Sequence, residues 1–265
     1  MKRIQAVFDK CKTEQRKALV AYVTAGNPDL STSEKLIDAV IDAGADILEL
    51  GVPFSDPMAD GPVIQKAGLQ ALKAGTTLPG IIAMAGRIRQ RTAVPMVLFS
   101  YYNVMLSYGL EKLAADCVTA GIDAWLIVDV PFEERVEVKP IAAQHGIELI
   151  TLVSPATPPQ RMAKIVADAE GFVYYITVKG VTGARAELPA DLSEHLNALR
   201  LLSPVPVVAG FGIASPEMAA MTARHADGVV VGSAIVRIMD QHDDRASGIA
   251  ATAEFVRGLA AALKA

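Results

Sequence analysis

A chain of 265 residues, 52% apolar and 20% charged, has the composition of an ordinary globular protein with material for a large core. Its 25 Lys and Arg against 29 Asp and Glu leave a formal charge of −4 without a basic block, which argues against a nucleic-acid partner. Two cysteines without metal-like spacing and four scattered histidines argue for reduced thiols and no metal. The charged N-terminus and the lack of any run of about 18 uncharged apolar residues give no support to export or membrane spanning, so a cytoplasmic location is expected.

In chain order, a helical pattern over 4–14 opens the sequence and is followed by a strand at 19–24. A helix at 33–43 leads to a strand at 47–50, and Asp60-Gly-Pro62 stands before a further helix. Next come a helix at 81–91, a strand at 96–100, a helix at 110–120 and strands at 124–128 and 148–153. Thr157 is read as the cap of a helix at 158–167, with Pro158 at its first position. Strands at 172–177 and 206–209, a helix at 216–224, a strand at 228–231 and a helix at 248–263 complete the series. The strands are short and almost wholly apolar, as parallel strands covered on both faces are. Strand–helix alternation through eight strands, with no linker, predicts a TIM (β/α)₈ barrel occupying 1–265 as one domain with an additional N-terminal helix. A doubly wound open sheet is the rival, and the absence of GxGxxG after the first strand counts against it.

In such a barrel the chemistry sits at the carboxyl ends of the strands. Glu49 lies there in an apolar strand, and alternation places it with Ile47 on one face and Leu48 with Leu50 on the other. A carboxylate in that setting is costly unless paired, so it reads either as functional or as a buried structural acid bonded to a loop. The loop after it, Gly51-Val-Pro-Phe-Ser-Asp-Pro-Met-Ala-Asp-Gly-Pro62, is stiffened by prolines and carries Asp56 and Asp60 over the barrel mouth. Asp56 reads as a turn former. Asp60 reads equally as a helix cap or as a second carboxyl group for proton chemistry. Glycine-bearing loops at 180–183, 210–212 and 232–233 follow the last three strands, where this fold binds phosphate through backbone N–H groups. A phosphorylated small substrate follows.

The stretch Glu49-Leu-Gly-Val-Pro-Phe-Ser-Asp-Pro-Met-Ala-Asp-Gly-Pro62 resembles the signature of the tryptophan synthase α-subunit family. Ala21-Tyr-Val-Thr-Ala-Gly-Asn-Pro28, Asp129-Val-Pro131, Gly180-Val-Thr-Gly183, Gly210-Phe-Gly-Ile213 and Gly232-Ser-Ala-Ile-Val236 agree with it in family order. The resemblance implies retro-aldol cleavage of indole-3-glycerol phosphate to indole and D-glyceraldehyde 3-phosphate, with Glu49 and Asp60 catalytic. It places Tyr22, Tyr101, Tyr174, Thr182, Gly183, Phe211, Gly212, Gly232 and Ser233 around the substrate. Of the adjacent Tyr101 and Tyr102 only one can face the interior, and position relative to Asn103 favours Tyr101. Tyr22 departs from the phenylalanine of some members, and Thr177 and Lys179 depart from the serine and the uncharged residue of many. The resemblance further implies no cofactor on this chain and a pyridoxal-phosphate β subunit as partner in an α2β2 heterotetramer, which consumes the indole for L-tryptophan synthesis. The loops at 53–60 and 180–188 are expected at the interface and as lids.

Overall fold

The computed structural model describes residues 2–176, 190–210 and 212–264. Its strands are β1 Ala18–Thr24, β2 Ile47–Gly51, β3 Met96–Ser100, β4 Ala124–Ile127, β5 Glu148–Leu149, β6 Thr151–Val153, β7 Val173–Ile176, β8 Val207–Gly210 and β9 Gly228–Val231. They are all parallel, in the order β5-β4-β3-β2-β1-β9-β8-β7-β6. The two ends of that order are halves of one strand interrupted at Ile150, whose N–H still reaches the Trp125 carbonyl at 2.9 Å. The sheet therefore closes on itself as the expected eight-stave barrel.

Alternation along the strands divides the core in two. Leu19, Leu48, Leu50 and Trp125 face outward beneath the helices. Val20, Ile47, Val97 and Val208 face inward, and the helix Arg3–Thr13 closes the lower end by packing Ile4, Phe8 and Cys11 against them. Burial raises the Cys11 thiol to about 11, consistent with a packing role.

The lower rim carries a repeated device. Asp46, ahead of β2, accepts the Leu19 N–H at 2.9 Å, and Asp123, ahead of β4, accepts that of Met96 at 2.9 Å. Glu170, ahead of β7, accepts the Leu149 N–H at 3.1 Å, and Asp227, ahead of β9, accepts that of Val207 at 2.9 Å. In each case an acid before an even stave satisfies an amide near the start of the odd stave preceding it. Arg16 binds Asp46 with two bonds of 2.7 and 2.8 Å, Arg89 and Arg3 hold Asp123, and Arg200 holds Asp227.

Helix boundaries differ from the periodic reading where caps extend them. The helix expected at 33–43 runs Leu30–Asp42 because Asp29 accepts the Thr32 N–H at 2.9 Å. The last helix, expected from 248, runs Arg245–Ala262 because Asp244 accepts the Ser247 N–H at 2.8 Å. Thr157 is not the cap of its helix: the element is Pro159–Val166, with Pro158 before it and no side-chain cap. The Thr157 hydroxyl turns back instead to the Ser154 N–H, at 3.3 Å. Among the described residues no helix is long and apolar enough to cross a membrane.

Candidate active site

At the upper end, the inward positions of β1, β2, β3 and β7 place Tyr22, Glu49, Phe99 and Tyr174 in one layer. Glu49 is the register partner of Tyr22 on one side and Val97 on the other. It is fully buried, and neither carboxyl oxygen meets a hydrogen-bond partner among the described residues. Among the described residues, no loop supplies the donor that the reading of Glu49 as a structural acid requires. Loss of hydration pushes its pKa up to about 8, so the group carries its proton at neutral pH.

The tyrosines shape the space around that acid. Tyr22 lies edge-on to Phe99, with centroids 5.2 Å apart at 79°, and its hydroxyl stands 3.5 Å from Thr24 Oγ1. Its ring occupies the place of a side chain at position 51, where a Cβ would fall 2.1 Å from the Tyr22 hydroxyl oxygen. Gly210 does the same for Tyr174, whose hydroxyl oxygen would lie 2.7 Å from an added Cβ. Those two glycines are thus room for aromatic rings. Burial first, then the nearby carboxyl groups, holds both phenols well above their ordinary pKa, so both are neutral.

Asp60 reaches the same mouth from the loop between β2 and the helix Pro62–Lys73. Gly61 is the cap residue of that helix and no side chain caps it, so Asp60 is not engaged in capping. Partial burial raises the Asp60 pKa, and a hydrogen bond from Tyr101 opposes the rise. Tyr101 is buried and Tyr102 half-exposed, so the inward member of the pair is Tyr101. Asp56 is exposed and bonded to the Ser55 hydroxyl, as a turn residue would be.

Across the mouth, Gly232 caps the helix Ser233–Asp240, whose first turn has no side-chain cap. The opening N–H groups of that helix are thus available to an anion, with the helix dipole behind them. Gly232 sits against Tyr22, 3.1 Å from its Cβ to the position of an added Cβ, which places this end of the helix beside the acid layer. Gly212 adopts φ +63°, a left-handed conformation that glycine takes without strain. Thr182, Gly183 and Phe211, together with Thr177 and Lys179, lie outside the described residues. Two aromatic residues were not singled out in the sequence: Phe99, against Tyr22, and Phe54, whose ring is 5.1 Å from that of Tyr101. For Phe99 a signal existed, since it stands two residues after the inward-facing Val97 and so points the same way.

The profile of the family described as tryptophan synthase alpha chain matches residues 8–264. A tryptophan synthase alpha chain of Geobacter sulfurreducens is 52% identical over 241 residues, covering 91% of each chain. One from Chloroflexus aggregans is 42% identical over 265 residues, covering 99% of this chain and 98% of its own. The crystal structure of tryptophan synthase subunit alpha from Legionella pneumophila superposes with a TM-score of 0.92 at 34% identity, covering 99% of this chain and 98% of that one. The chain belongs to the tryptophan synthase alpha chain family. Like that family it is a carbon–carbon lyase that cleaves indole-3-glycerol phosphate, and its barrel is the family's barrel. Within it, Glu49, Asp60, Tyr22, Tyr101 and Tyr174 converge on one mouth, and Gly212, Gly232 and Ser233 stand at the anion-ready side.

Proposed function

We propose that Glu49 is the acid–base catalyst of the cleavage and Asp60 the acceptor for the indole ring N–H. The observation that carries this is the buried Glu49 carboxyl group, without a hydrogen-bond partner among the described residues and protonated at neutral pH, with Asp60 near the same Tyr22 ring. Glu49 gives its proton to C3 of the indole ring, the carbon bonded to the glycerol chain, leaving an indolenine whose ring nitrogen carries positive charge. Asp60 accepts the ring N–H and stabilises that charge. The neighbouring hydroxyl then returns a proton to Glu49 as the carbon–carbon bond breaks. The bonding pair flows into the ring, giving indole and the aldehyde. Protons balance over the cycle, and no redox or metal step is needed.

The N-terminus of Ser233–Asp240 with Gly212 and Gly232 holds the phosphate, so binding at the far end positions the reacting carbons. Tyr22, Tyr101 and Tyr174, with Thr182, Gly183 and Phe211, complete the pocket. The chain itself uses no cofactor. Its partner is a cytoplasmic β subunit, carrying pyridoxal phosphate, that takes up the indole in an α2β2 assembly.

The test is turnover of indole-3-glycerol phosphate by Glu49→Gln and Asp60→Asn, with and without β subunit, alongside glycerol 3-phosphate affinity by calorimetry. Glu49→Gln keeps the shape and removes the transferable proton, so kcat falls by at least about 10²-fold while affinity holds. Near-normal turnover of Glu49→Gln removes it from the acid–base role.

A further inference from the structure

A single side chain reads three points of the loop that carries Asp60. Tyr101 follows β3 and is buried, its ring packed on Phe54 at 5.1 Å and 34°. Its hydroxyl oxygen accepts the Ala59 N–H at 3.0 Å. The same hydroxyl faces the Asp60 carboxyl group closely enough to lower its pKa against the effect of burial. A phenol has one proton to give, and the Ala59 amide supplies its own. The Tyr101 O–H is therefore free to point at Asp60, with the amide fixing the oxygen from the other side. Other bonds here fix only the backbone: the Asp60 N–H reaches the Pro57 carbonyl at 3.2 Å, and Gln65 Nε2 donates to the Asp60 carbonyl at 2.9 Å.

Tyr101 is itself held through the residue after it. The Tyr102 N–H donates to Asp129 at 2.8 Å, and the Tyr102 hydroxyl donates to Glu137 at 2.8 Å. The 3₁₀ turn Phe132–Glu137 and the loop after β4 thus anchor the peptide unit from which the Tyr101 ring projects. We infer that Tyr101 acts as a positioning residue for Asp60, holding the segment that carries it through the Ala59 N–H and the Phe54 ring and aiming its carboxyl group with the same hydroxyl, and does not serve chiefly as a wall of the indole pocket. This rests on the reading of Asp60 as the ring N–H acceptor. Burial raises the Asp60 pKa, and the Tyr101 hydroxyl opposes that rise.

The experiment follows Asp60 directly, by carboxyl ¹³C NMR titration of the resting protein, together with the pH dependence of kcat and KM. Tyr101→Phe keeps the ring against Phe54 and removes the donor. The Asp60 midpoint is expected to rise by about one pH unit. The acid limb of kcat moves up with it, kcat at pH 7 drops by about tenfold, and KM changes less than kcat. Placing 3-fluorotyrosine at 101 makes the donor more acidic with the packing retained, so the midpoint moves in the opposite direction. This second arm decides the matter should Tyr101→Phe fail to fold. Asp60 titrating unchanged in the fluorinated protein overturns the inference, as does an unchanged midpoint and acid limb in folded Tyr101→Phe. Full turnover by Asp60→Asn would instead remove the functional reading of Asp60, and the NMR arm would still report whether Tyr101 holds it.

Discussion

Glu49 faces the barrel interior with no donor on either oxygen among the described residues, and its burial has a thermodynamic consequence that activity measurements do not register. The native chain keeps the Glu49 proton up to about pH 8, whereas an unfolded glutamate releases it near 4.5. Between those values the native state binds more protons than the unfolded one, so this group's contribution to stability falls as pH rises. Below 4.5 both states hold the proton and no deficit exists; above 8 the deficit is complete. Glutamine at this position carries no such titration. Glu49→Gln is thus expected to be nearly as stable as the native protein at pH 4.5 and more stable at pH 9, by an amount on the order of a few kcal/mol. Urea unfolding at the two pH values measures it, and a stability difference that stays flat with pH would show that Glu49 does not fold as a neutral acid. The same proton sets the alkaline side of catalysis: turnover should decline above about pH 8 as the acid is lost.

At the scale of the element, the proposed site is built from a strand for Glu49, a loop for Asp60 and a helix start facing the anion. The helix Ser233–Asp240 offers a clean separation of folding from binding. An aspartate at its first position suits the helix dipole and should leave the melting temperature unchanged or slightly raised. The same carboxylate would repel a phosphate seated at those N–H groups. Ser233→Asp is therefore expected to lose at least about 10²-fold in glycerol 3-phosphate affinity with folding intact. Calorimetry and thermal melting together check this, and unaltered affinity would place the phosphate elsewhere.

What could be read from the sequence divides along a physical line. The strands were legible because each is a short apolar run, and Glu49 was legible because it is a charge in one of them. Helix starts at Leu30 and Arg245 were not, since Asp29 and Asp244 extend them beyond the apolar period. The capping reading of Asp60 required knowing where the chain turns, which Gly61 decides. Gly210 reads as a phosphate glycine in the sequence, yet in the fold it makes room for Tyr174, a residue 36 positions earlier that only the β7–β8 pairing brings beside it. The Tyr101 contact with Ala59 and Asp60 joins two loops about 40 residues apart and leaves no local pattern.

Over the whole molecule, the acids of the lower rim group the staves in pairs: β1 with β2, β3 with β4, the β5–β6 stave with β7, and β8 with β9. Nothing in that arrangement bridges the second pair to the third. The seam there is also thin, with only Ala124↔Glu148 and Trp125↔Leu149 in register between β4 and β5. The barrel is therefore divisible, and where it divides is a matter of which bonds a break in the chain must separate. Gly109 and Gly146 are matched places for a break, both in turns with positive φ and both with open space about them. A break at Gly146 leaves every acid on the same fragment as the amide it serves, so each half carries two complete pairs. A break at Gly109 puts Met96 on one fragment and Asp123, with its charge unanswered by Arg89, on the other. Fragments parted at 146 should therefore each keep more native structure when alone than those parted at 109, since no rim bond is lost on separation. Far-UV circular dichroism of each purified fragment would measure it, and equal residual structure would mean that the rim acids do not mark out the units in which this barrel comes together.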